Sequence, residues 1–145
     1  MTWRFAYRVG SLLCANSSEA RLEFEVRSEA VSDGSYFVYV RPSGHDGPED
    51  DAFFASLVPL GLSALRTEGV VNNLPPEFHG FGIMRQLLPV LAQRHSKPIC
   101  SSRNDPNRGE TRTECATAVW KRLVREGKAS YDSEEERYRV EVPRP

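Results

Sequence analysis

Hydrophobic positions along the chain follow two periods, and the switches between them outline the predicted elements. Trp3, Phe5, Tyr7 and Val9 alternate with Arg4, Ala6 and Arg8, which predicts a strand with one apolar face. Gly10 to Ser18 reads as a turn, and Arg21 to Arg27 alternates again between an apolar and a salt-rich face. Ser32 to Ser35 supplies turn chemistry, after which Tyr36 to Val40 is apolar on both faces, the pattern of a central strand. Residues 1–40 therefore predict an antiparallel meander.

Pro42 to Asp51 is rich in Gly, Pro and Asp and predicts an exposed loop, in which His45 and Asp46 read as a solvated surface pair. Phe53, Phe54, Leu57 and Val58 recur at helical spacing and predict a helix over Asp51 to Val58, with Asp50 or Asp51 as its N-cap. Val70 to Leu74 reads as a strand and Pro75 to Gly82 as a tight turn. A helix from about Gly80 to His95 follows, with Ile83, Leu87, Val90 and Leu91 on one face. Pro89 falls inside it and must kink it or leave a carbonyl unpaired.

Lys97 to Ser102 predicts a short strand and Arg103 to Glu110 a polar loop. The last helix is the best defined: Thr111 or Thr113 caps it, Ala116, Val119, Trp120, Leu123 and Val124 form its stripe, and Gly127 takes the C′ position. Ser130 to Glu136 is a charged turn, and Tyr138 to Val142 alternates as a final strand. The expected class is α/β of the α+β type: a mixed, mostly antiparallel central sheet flanked by helices.

Composition narrows the functional classes. A chain of 145 residues with 39% hydrophobic and 27% charged residues is one ordinary globular domain. A formal net charge of -1 gives no global pull toward nucleic acid or anionic membrane. Lys121, Arg122, Arg125 and Lys128 lie opposite the last helix's stripe and read as its solvated face. Cys14, Cys100 and Cys115 are widely spaced without a C-x-x-C, so neither a zinc site nor a disulfide framework is expected. The N-terminus lacks the layout of a signal peptide, and Ala52 to Leu65 is too short and too broken to span a bilayer. A cytoplasmic location is expected.

The chemistry concentrates in Val70 to Gln93. Strand, glycine turn and helix follow one another there, and glycines at a helix start let a ligand approach the free N–H groups of the first turn and the positive end of the helix dipole. The string Pro76-Glu77-Phe78-His79-Gly80-Phe81-Gly82-Ile83-Met84 resembles the acyl-coenzyme-A motif of the GNAT N-acetyltransferase superfamily. His79 stands where that family has Arg or Gln, and Met84 where Gly or Ala is usual. Cys100 to Ser102, the helix Ala116 to Gly127, and Ala129 to Tyr131 with Tyr138 to Val142 follow in the order of the family's later elements. The resemblance covers Glu68 to Val142. It divides the single domain into residues 1–66, strands plus one helix, and 67–145, the coenzyme-binding strand-turn-helix and closing elements. The first half departs from the family, which places helices directly after its first strand.

The resemblance implies acetyl-CoA as cosubstrate and direct acyl transfer to an amine, a small molecule or a protein. Asn73, Leu74, His79, Gly80, Phe81, Gly82, Ile83, Met84 and Arg85 are the implied coenzyme-binding residues. Splayed strands at Gly69 to Leu74 and Pro98 to Ser101 would expose backbone to the pantetheine arm, with the pyrophosphate on Gly80 to Arg85. No catalytic residue is assigned. The family's acid Tyr corresponds to Leu123, and Asn72 and Asn73 stand where its Glu base is common, leaving Glu68, Ser102 and Tyr131 as substitutes. Cys100 reads as a buried strand cysteine rather than a nucleophile. Two functions stay open, an active N-acyltransferase and a GNAT-like module without catalysis; a homodimer is compatible with either, and a membrane partner with neither.

Overall fold

The computed structural model describes residues 7–44 and 51–143. Its strands are β1 (Tyr7–Ala15), β2 (Arg21–Ala30), β3 (Tyr36–Pro42), β4 (Phe53–Leu60), β5 (Ala64–Asn72), β6 (Ile99–Cys100), β7 (Ser130–Asp132) and β8 (Arg137–Val140). Helix α1 (Ile83–His95) links β5 to β6, and α2 (Glu114–Arg125) links β6 to β7. The strands form one sheet in the order β1-β2-β3-β4-β5-β6-β8-β7. Every neighbouring pair is antiparallel except β5 and β6, so the expected mixed, mostly antiparallel sheet with helices is what the chain forms.

Three predicted elements need correction, one of them the charged turn Ser130 to Glu136, whose first three residues are strand β7, paired with β8. Gly10 to Ala15 is strand rather than turn, because Leu12 and Cys14 continue the inward alternation and a register shift between Arg8 and Gly10 absorbs the glycine. The chain reverses later, where the Asn16 side chain accepts from the N–H groups of Ser18 and Ala20. The segment Asp51 to Val58 is not a helix, so the N-terminal half carries none there. Phe53 to Leu60 is β4, in which Phe53, Ala55 and Leu57 are buried and alternate with half-exposed Phe54, Ser56 and Val58. Phe54 and Val58 satisfy a helical spacing by coincidence, since both belong to the sheet's other face. Trp3, Phe5, His45, Asp46 and Asp50 lie outside the described residues.

Register decides which face is dry. Val26 pairs with Val40, Val40 with Phe53, Leu65 with Ile99, and Ile99 with Val140, which stacks these side chains on one face. Leu87, Leu88 and Leu91 of α1 and Trp120 and Leu123 of α2 join them in a single core cluster. Burying each such side chain contributes about 1.5 to 3 kcal/mol. Both helices thus pack on the same face. The opposite face carries Phe37, Tyr39 and Phe54, whose rings touch at centroid distances of 5.4 and 5.5 Å. Among the described residues no helix is long and apolar enough to cross a membrane.

Helix α2 is closed at both ends. The Thr113 hydroxyl accepts from the Ala116 N–H, and Gly127, at φ 74°, ends the helix with Lys128 N–H donating to Leu123 C=O and Gly127 N–H to Val124 C=O. Trp120 is fully buried, its ring 6.0 Å from that of Tyr138 on β8.

Candidate functional site

The glycine turn has a buried anchor and two open glycines. Phe81 points into the core, 4% exposed, with its ring edge-on to Phe24 at 5.6 Å. Gly80 and Gly82 flank it at φ 79° and 67°, conformations that only glycine adopts without strain. A side chain starting at Gly82 would meet nothing closer than the Arg85 guanidinium at 3.9 Å. Gly82 is the N-cap of α1, and no side chain caps the helix, so the first-turn N–H groups of Ile83, Met84 and Arg85 have no side-chain partner there. The helix, predicted from about Gly80, starts three residues later, at Ile83. Ile83 and Met84 are buried.

The residues before the turn are occupied with one another. Asn73 N–H donates to Ala52 C=O at 3.0 Å, and Leu74 N–H to the Asn72 side chain at 3.1 Å. The His79 ring lies with Nε2 2.7 Å from the Leu74 carbonyl oxygen. His79 therefore ties the turn to the segment that follows β5.

Beside the turn the sheet opens. The parallel β5–β6 register covers only Leu65 with Ile99 and Arg66 with Cys100. Beyond it, the Thr67 hydroxyl donates to Cys100 C=O at 3.4 Å, and then the strands part. The cause is local to Ser101: its N–H donates to Tyr138 C=O and its hydroxyl accepts from the Tyr138 N–H, both at 2.9 Å, so the chain follows β8 and leaves β5. A cavity of about 220 Å³ lies in the gap, lined by Glu68, Gly69 and Val70 of β5, Met84 of α1, Ser102, and Ala116 and Trp120 of α2. A larger groove of about 750 Å³ lies between α1 and the end of α2, with Arg85, Gln86, Pro89, Glu126 and Lys128 on its walls. Met84 and Arg85, adjacent in α1, face the cavity and the groove respectively. Pro89 lacks the N–H that the Arg85 carbonyl would accept.

A charge cluster pins the loop that walls the cavity. Arg137, buried on β8, forks onto Glu110 at 2.6 and 2.9 Å and donates to Ser101 C=O at 3.0 Å. The Arg137 fork holds the Glu110 carboxyl down to about 2 against the opposing effect of burial, helped by the Arg103 N–H and the Arg66 charge. Arg112 stacks over the Tyr138 ring at 5.0 Å while donating to Ser102 C=O at 2.7 Å and the Thr117 hydroxyl at 2.9 Å. Cys100 is buried and burial pushes its thiol up, the reverse of what a nucleophile needs; Cys14 is pushed up to about 11 for the same reason.

The three substitute proton-transfer groups separate in space. Glu68 and Ser102 both line the cavity, whereas Tyr131 lines a different pocket with Asn104 and Arg112. The Glu68 carboxylate is 58% exposed and 3.8 Å from Arg66, and the Ser102 hydroxyl donates to Thr111 C=O at 2.7 Å. Leu123 is fully buried in the core. Arg112, Glu110 and Arg137 escaped the sequence reading because no local pattern marks partners so far apart. No family model, no curated protein and no solved structure matches this chain.

Proposed function

We propose that the protein is an acyl-CoA-dependent N-acyltransferase of the GNAT type, transferring an acyl group, acetyl in the simplest case, directly from coenzyme A to an amine. The observation that carries the reading is the parting of β5 and β6 after two paired residues, with a cavity in the gap that Met84, in the uncapped first turn of α1, helps to line. The chain order β5, turn, α1, β6, α2, β7, β8, with β6 between β5 and β8, also fits that fold.

In this reading the pyrophosphate rests on the first-turn N–H groups of α1, at Gly82 to Arg85, where partial positive charge favours an anion. The nucleotide lies along the larger groove, and the pantetheine arm enters the cavity past Met84. Because the Asn73 and Leu74 amides donate elsewhere, the arm pairs with β5 at Gly69 to Val71, the part β6 has left. Glu68 takes one proton of the acceptor ammonium; the amine nitrogen attacks the thioester carbon, the C–S bond breaks, and the nitrogen's second proton passes through water to the leaving thiolate, giving the amide and the free thiol.

A second reading, a GNAT-like binding module without catalysis, is favoured by one observation: the helix position from which the family's acid Tyr would act is Leu123, buried at 0% exposure. Calorimetric titration with acetyl-CoA, followed by a thiol-release assay over a panel of amines, separates the two. Binding with release supports the enzyme, binding without release the module, and no binding removes both.

A further inference from the structure

Arg85 is a cation beside the glycine turn, and it is already taken. Its guanidinium lies 3.9 Å from where a side chain at Gly82 would begin, and Nη1 donates to the Glu126 carboxylate at 3.0 Å. That bond joins the first turn of α1 to the end of α2, and both residues line the 750 Å³ groove. Glu126 is the C-cap of α2, the negative end of the helix, where a carboxylate is disfavoured. Its described cationic partners are Arg85 and, at 3.7 Å, Arg122. The carboxylate thus sits in an unfavourable place and is held there by Arg85 and, at the longer distance, by Arg122.

We propose that Glu126 is an internal competitor for the coenzyme's phosphates: it holds Arg85 as a latch across the groove, and a bound polyanion must take Arg85 away from it. This rests on the reading of the turn and groove as a coenzyme site. Both Arg85 and Glu126 are partly exposed, 24% and 30%, so the latch can open without unpacking the core. Opening leaves Glu126 at the helix end with Arg122 alone, which opposes binding. The consequence is selectivity: a small single-charge anion gains too little at Arg85 to release it, whereas a pyrophosphate that also engages the α1 N–H groups gains enough.

The test is a double-mutant cycle read by calorimetry with acetyl-CoA on wild type, Glu126→Gln, Arg85→Ala and the double variant, each checked for an unchanged circular-dichroism spectrum. Glu134→Gln, an exposed change of the same charge in the β7–β8 turn, controls for net charge. Glu126→Gln is expected to tighten binding roughly three- to tenfold. In the Arg85→Ala background the same change is expected to do little, because there is no latch to release. An equal gain in both backgrounds would show that Glu126 acts only as a nearby charge. Equal affinity of wild type and Glu126→Gln would overturn the latch while leaving the coenzyme site standing. Failure of every variant to bind acetyl-CoA would remove the site and the latch with it.

Discussion

The two halves of the sheet are built to opposite rules. From β1 to β5 each strand pairs along most of its length, Phe24 to Ala30 against Tyr36 to Pro42 and Phe53 to Leu60 against Ala64 to Asn72. From β5 to β8 the pairing shrinks to two residues at each step, and side chains replace the ladder: the Ser101 hydroxyl, the Arg137 fork on Glu110, and Arg112 over Tyr138. A closed ladder leaves no backbone for a ligand, whereas an interrupted one leaves both a gap and free edges. The difference teaches that the open half must draw its order from buried side chains, chiefly Trp120, and from charge.

The largest expected effect tests that dependence. Trp120→Ala should cost about 3 to 5 kcal/mol, because the indole is fully buried between α2 and β8 and its neighbours cannot close the space. Urea denaturation followed by circular dichroism measures it. A variant with a near-normal midpoint would mean that the open half is held by something other than this core.

Gly82→Asp probes the gap itself. A side chain at φ 67° costs about 1 kcal/mol of strain, but the space is open, so the fold survives. The added carboxylate lies beside the α1 N–H groups, so coenzyme affinity should drop at least about a hundredfold, close to 2.7 kcal/mol. Undiminished acetyl-CoA affinity in a folded Gly82→Asp protein would move the phosphate site elsewhere.

How much of this was legible follows the same division. Gly80 and Gly82, the Thr113 cap and the Trp120 stripe are local signals, and the structure places each in the element its spacing indicates. The helical spacing over Asp51 to Val58 misleads because apolar residues on both faces of a strand fit either period, and Gly10 because a glycine inside a strand looks like a turn. The pairs Glu110–Arg137 and Arg85–Glu126 join residues 27 and 41 positions apart, and only the folded chain brings them together.

The charge cluster predicts a pH dependence confined to the acid side. Glu110 has its folded carboxyl at about 2, below the ordinary 4.5, so its stabilisation is fully present above about pH 5 and is lost as pH falls from there toward 2. Allowing for solvent screening, the loss should be no more than about 2 kcal/mol. Urea midpoints between pH 6 and 2.5 measure it, and Glu110→Gln should flatten that limb relative to wild type. An unchanged acid limb in Glu110→Gln would show that the Arg137 fork does not order this half of the sheet.

The smallest effect separates two roles for His79. If its imidazolium faced a bound pyrophosphate, as its place in the motif suggests, coenzyme binding would take up a proton and weaken as pH rises. In the structure Nε2 is 2.7 Å from the Leu74 carbonyl, and a ring N–H can donate there whether or not the other nitrogen carries a proton. With the ring held on Leu74, the expected result is the same enthalpy difference between buffers of unequal ionisation heat in wild type and His79→Gln. His79→Ala should remove the tie between the turn and the segment that follows β5 at about 0.5 to 1.5 kcal/mol of stability, and affinity should fall less than about tenfold because the α1 N–H groups remain. A wild-type proton uptake that vanishes in His79→Gln would place the imidazole on the phosphate after all, and the ring would then have to leave Leu74 when the coenzyme binds.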